Sequence, residues 1–93
     1  MTIDRVVLSK NAKKDLAGAP VHILKKFRKW LGDIERYGLD EVRKVPGWND
    51  HSLKGDRQGQ RAIYLNRQWR AIYAMESDGT LYVLVLEVNP HEY

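Results

Sequence analysis

The apolar positions change period about halfway along the chain. The short β-branched run from Ile3 to Leu8 predicts a first strand. Ser9 can cap a helix over Lys10–Leu16, which Gly18-Ala19-Pro20 breaks. Pro20 suits the first turn of a second helix, where its missing N–H costs nothing. Ile23, Leu24, Phe27, Trp30, Leu31 and Ile34 recur at helical spacing and carry that helix to about Tyr37, with Gly38 as its stop. Lys25, Lys26, Arg28 and Lys29 cover its opposite side, as a solvated face or as part of an RNA footprint. Leu39–Val45 can add a turn or two before Pro46-Gly47. From Leu53 onward the pattern is that of strands: Gly55 and Gly59 bracket a loop, then Arg61–Leu65, Trp69–Met75 and Leu81–Val88 follow. The order β-α-α-β-β-β predicts an α+β fold, a mostly antiparallel twisted sheet with two helices packed on one face. No linker or repeat interrupts it, so residues 1–93 read as a single domain.

Hairpin turns fix register, and register fixes faces. Asp78-Gly79 reads as a two-residue type I′ loop. It pairs Ser77 with Thr80, Ala74 with Val83, Ile72 with Val85 and Arg70 with Glu87. Arg67-Gln68 as a second two-residue loop pairs Leu65 with Arg70 and Arg61 with Ala74. One face then carries Ala62, Tyr64, Trp69, Ala71, Tyr73, Met75, Tyr82, Leu84, Leu86 and Val88, and is the expected core face. The other carries Arg61, Arg70 and Glu87 among Ile63, Leu65, Ile72, Val83 and Val85, and Asn89, His91 and Tyr93 continue it. Arg67-Gln68 is poor type I′ sequence, and a three-residue loop would move Arg61 to the core side beside Trp69 and Tyr73. An unpaired arginine there is costly, so the first register is expected.

Charge and composition narrow the chemistry only slightly. Sixteen Lys and Arg against twelve Asp and Glu give a net charge of +4, compatible with an anionic partner and equally with an ordinary basic protein. The absence of cysteine excludes disulfides and thiolate metal sites. His22, His51 and His91 are too scattered for a metal motif, and no cofactor motif stands out. No run is long and apolar enough for a signal peptide or a membrane span, so a cytoplasmic protein without membrane contact is expected.

Arginine suits phosphate because it stays charged and bonds in a planar, bidentate fashion. Metal-free RNA cleavage needs a base for the 2′-hydroxyl, cations for the phosphorane and an acid for the departing 5′-oxygen. Histidine does such work near neutral pH. Tyrosine can join it only if neighbouring arginines lower its pKa from about 10, and it can also stack on bases. Plainer readings stand beside these. Arg70 and Glu87 can be a cross-strand ion pair, His91 and Tyr93 an inert tail, and His51 a polar loop residue.

The stretch HSLKGDRQGQRAIYLNRQWRAIY resembles the HigB-type run His-Pro-Leu-Lys-Gly-Asp-Arg, short loop, strand, Trp-Arg, with Ser52 in place of the proline. The end LEVNPHEY resembles the YoeB and RelE tails, whereas HigB-type tails more often end Asp-Tyr-His. Over nearly its whole length the chain resembles the RelE/ParE toxin superfamily, and most closely its HigB-like and YoeB-like ribonucleases. The resemblance implies a RelE-like fold and the toxin of a type II toxin-antitoxin module. Its expected activity is that of a metal-independent endoribonuclease cleaving mRNA in the ribosomal A site, neutralised by a cognate antitoxin. It implies Arg70 at the scissile phosphate; His91, Tyr93 and His51 in proton transfer or stacking; and Lys54, Arg57, Arg61 and Arg67 as cations holding RNA. Partners are then mRNA, the ribosome and the antitoxin. Two other readings remain: a ParE-like inhibitor of DNA gyrase, which does not need a His/Tyr-terminated tail beside a strand arginine, and an inactive RNA-binding relative.

Overall fold

A computed structural model describes residues 3–90. It contains β1 (Val6–Leu8), α1 (Lys10–Ala17), α2 (Val21–Tyr37), α3 (Leu39–Val42), β2 (His51–Ser52), β3 (Gln60–Tyr64), β4 (Trp69–Ser77) and β5 (Leu81–Pro90). Single 3₁₀ turns lie at Pro46–Trp48 and Gly55–Arg57. The expected α+β order holds; α3 supplies the extra helical turn expected within Leu39–Val45, and the two-residue edge strand β2 is an addition. The sheet runs β1-β5-β4-β3-β2, antiparallel except where β1 lies parallel to β5.

Local chemistry explains the helices. The Ser9 hydroxyl accepts from the Ala12 N–H at 3.0 Å and so caps α1. α2 buries Ile23, Phe27, Trp30 and Ile34 on one stripe and leaves Lys25, Lys26, Arg28 and Lys29 in solvent. It stops at Gly38, whose φ of 87° closes the helix where a side chain would be strained. No helix among the described residues is long and apolar enough to cross a membrane.

The sheet register differs from expectation, and the loops are the reason. β4 and β5 meet at Ser77 and Leu81, so the turn holds three residues. Asp78 spends its carboxylate on Arg5 at 2.8 Å and on the Thr80 N–H, and Thr80 does not pair with Ser77. The β3–β4 loop also holds three residues, because the Asn66 side chain accepts from the N–H groups of both Gln68 and Trp69. Tyr64 therefore lies opposite Arg70, and Arg61 opposite Tyr73. One extra residue reverses the facing of a whole strand. Ile63, Leu65, Val83 and Val85 turn inward, and with Ala71, Tyr73 and Val88 they pack against the buried stripe of α2. The rings of Trp30 and Tyr73 meet at 5.5 Å.

A β-bulge between Ile72 and Tyr73 of β4 leaves Leu86 unpaired on β5, so Tyr73 faces Val85 while Ile72 faces Glu87. α1 and its cap take up the Leu86 carbonyl, which the bulge frees, and the Val88 N–H, which lies on the edge of β5 beyond the end of β1. Ser9 Oγ donates to the Leu86 carbonyl at 2.9 Å, and the Val88 N–H donates to the Asp15 carboxylate at 3.0 Å. The longer turn and the bulge are two single-residue shifts that restore the original alternation. Arg70, Glu87 and Asn89 consequently share the sheet face turned away from the helices, as expected.

Candidate functional site on the open sheet face

Two rows of side chains cross the open face. His51, Ala62, Ile72 and Glu87 form one, contributed by four successive strands; Tyr64, Arg70 and Asn89 form the next. Ala62 and Ile72 are fully buried and give the polar groups an apolar floor. The polar groups therefore interact in a poorer dielectric than bulk water.

Arg57, on the 3₁₀ turn after β2, reaches over this floor. Its guanidinium donates to Gln60 at 2.9 Å and to the Glu87 carboxylate at 2.5 Å, and Asn89 Nδ2 donates to the other Glu87 oxygen at 2.8 Å. The Arg57 hydrogen bond, opposed by partial burial and aided by Asn89 and the charge of Arg70, holds the Glu87 carboxyl below its ordinary value. Arg70 stands in the adjacent row, half-buried. Its Nε is shielded from solvent and has no hydrogen-bond partner among the described residues. His51 lies at the strand edge, its ring 5.6 Å from that of Tyr64 and its Nδ1 2.7 Å from the Asn49 carbonyl oxygen. Lys54 is exposed on the loop beside them, and Arg67 is exposed on the β3–β4 loop. A cationic rim, a half-buried arginine, an imidazole and an aromatic ring on one surface can bind a phosphodiester and move a proton.

The structure thus brings together Arg70, His51 and Arg57, with Lys54 nearby. It separates Arg61 from them, which corrects the expectation of a shared surface. Arg61 lies on the helix side of the sheet, where its Nε donates to Asp50 at 2.6 Å. The same carboxylate, with its side chain 1% exposed, accepts from the Tyr73 hydroxyl at 2.5 Å. Burial, and then this hydrogen bond, push the Tyr73 hydroxyl well above its ordinary pKa. An arginine on the core side is most costly when unpaired, and Asp50 supplies the partner that offsets its desolvation. His91 and Tyr93 lie outside the described residues. Sequence reasoning assigned Tyr64 to the core and gave no role to Gln60 or Asn89. For Tyr64 the missing signal was the Asn66 turn, which shifts β3 by one residue.

No protein-family model matches the chain, and no curated protein matches it. Solved structures do. A YoeB/ParE toxin from Agrobacterium tumefaciens superposes with a TM-score of 0.73 at 15% identity, covering 95% of this chain and 99% of that one. YafQ from E. coli strain BL21(DE3) gives 0.73 at 17% identity, with 92% and 91% covered. A structure of the RelBE2 toxin-antitoxin complex from Mycobacterium tuberculosis gives 0.69 at 20%, with 98% and 100% covered. Over most of its length, the chain has the fold of the RelE/ParE superfamily toxins.

Proposed function

We propose that this protein is the toxin of a type II toxin-antitoxin pair and acts as an endoribonuclease on mRNA. The observation that carries the reading is Arg70, half-buried on the open face with Nε unpartnered among the described residues, flanked by His51, Tyr64 and the Arg57–Glu87 pair. In the proposed reaction the 2′-oxygen attacks the adjacent phosphorus while the P–O5′ bond breaks. The products are a 2′,3′-cyclic phosphate and a 5′-hydroxyl. The 2′-hydroxyl proton passes to an imidazole, His51 in this reading, and the departing 5′-oxygen takes a proton from the terminal His91 or Tyr93. Arg70 neutralises the phosphorane, and no metal is needed for that charge. Lys54 and Arg67 hold the flanking RNA, Arg57 does so when it leaves Glu87, and Tyr64 offers a ring for stacking. Toxin-antitoxin complexes among the structures of this fold, RelBE2 and DinJ-YafQ, support a cognate antitoxin as partner. The ribosomal A site is the proposed setting.

The test is expression of the chain, Arg70→Ala and His91→Ala in growing cells, with mRNA 5′ ends mapped. Codon-phased cuts that disappear in both variants are expected. DNA damage signalling with intact mRNA would sink the reading in favour of a gyrase-directed toxin.

A further inference from the structure

The Asp50–Arg61–Tyr73 cluster lies on the side of the sheet opposite the proposed chemistry, yet Asp50 immediately precedes His51. Strand β2 has only two paired positions, His51 with Ala62 and Ser52 with Arg61. So short an edge strand specifies its own facing weakly. Asp50 is the group that fixes it. Its two oxygens are held by Arg61 Nε at 2.6 Å and by the Tyr73 hydroxyl at 2.5 Å, from two different strands on the helix side. Alternation along β2 then turns His51 to the open face.

The residue before Asp50 completes the arrangement. Asn49 has φ 49° and ψ 47° and is the sole described non-glycine residue with positive φ. That conformation brings its carbonyl oxygen to 2.7 Å from His51 Nδ1. A carbonyl can only accept, so Nδ1 carries the hydrogen and Nε2 keeps the lone pair of the neutral ring. We infer that Asp50 is a positioning residue for His51, holding the imidazole on the open face as its Nδ1–H tautomer with Nε2 as the proton acceptor. As far as the acceptor's task is concerned, this rests on the ribonuclease reading. When Nε2 takes the 2′-hydroxyl proton, the ring becomes a cation whose Nδ1–H still donates to the Asn49 carbonyl, so no reorientation accompanies the transfer.

The test has two readouts on the full-length protein. Two-bond ¹H–¹⁵N spectra of ¹⁵N-histidine-labelled protein, read on the neutral ring at the alkaline end of a pH series, are expected to show His51 as the Nδ1–H tautomer. In Asp50→Asn the Nε2–H tautomer should rise, and kcat for cleavage of an mRNA held in the A site of programmed ribosomes should fall roughly tenfold or more with KM within about twofold. Tyr73→Phe, which keeps the Arg61 pair and is expected to fold if Asp50→Asn does not, should shift both readouts in the same direction but less. An Nε2–H tautomer in the unaltered protein overturns the inference. So do variants that lose thermal stability while tautomer and kcat stay unchanged. Absence of mRNA cleavage by the unaltered protein on programmed ribosomes, with the tautomer result intact, would instead refute the ribonuclease reading and leave the positioning of His51 standing.

Discussion

At the residue scale, Arg61 shows how a single partner decides where a charge goes. It reads as an RNA-holding cation as long as the core side offers it no counter-ion. Asp50 was visible in the sequence, but its spatial relation to Arg61 depends on a loop length that Arg67-Gln68 does not announce. Arg61→Ala leaves the Asp50 carboxylate buried without its cation, so it should cost about 3–5 kcal/mol in urea unfolding. RNA affinity at a temperature where the variant is folded should change little. Tyr73 makes a pH prediction. Its folded-state pKa is raised above the ordinary 10.0 by burial and by its bond to Asp50, so the folded state favours the protonated hydroxyl. That contribution is complete below about pH 10 and is lost as pH rises from there toward the folded-state value. Urea midpoints should be flat with respect to this group up to that pH and decline above it, and Tyr73→Phe should weaken the decline. Arg70 was legible from its place beside Trp69 on a strand, and the structure leaves it on the expected face.

At the scale of elements, capping chemistry and helical periodicity could be read directly. Ser9, the Ile23–Phe27–Trp30–Ile34 stripe and Gly38 do what their positions predict. Hairpin lengths could not, because the Asn66 side chain and the Arg5–Asp78 pair set them through contacts that no turn dipeptide encodes. The bulge had no marker either, since β5 contains no glycine. Its support comes from α1, distant in sequence. Asp15→Ala removes the acceptor of the partly buried Val88 N–H and should cost about 1–3 kcal/mol in denaturant unfolding. Hydrogen exchange at the Val88 amide should accelerate more than at neighbouring β5 amides; equal acceleration along the strand would contradict a local role for Asp15.

At the scale of the whole molecule, the sheet divides the labour between its faces. The helix side holds the core and a partly buried ionic cluster, and the open side gathers arginine, imidazole and aromatic groups over Ala62 and Ile72. The net charge of +4 is small, so binding of single-stranded RNA should depend on local cations rather than on the overall field. Lys54→Ala should weaken binding to all short RNAs alike and flatten the dependence of log affinity on log salt by about 0.7 units. A sequence-selective loss would show that Lys54 reads bases. The general architecture was legible because period and capping specify it. The site was only half legible, because its faces depend on single residues in loops.

The two irregularities of β5 are not equivalent under insertion and deletion. The three-residue turn at 78–80 decides which side of β5 faces the helices, so removing Thr80 should send Val83 and Val85 outward and abolish a cooperative melt. Leu86 is a spare residue. Without it, Val85 would still meet Tyr73 and Glu87 would still meet Ile72, now in an unbroken ladder. A chain lacking Leu86 should melt cooperatively, at a reduced temperature, with its open-face row retained. Tolerance to a change of length in this strand is thus confined to one position, the one where α1 holds the backbone in place of the sheet.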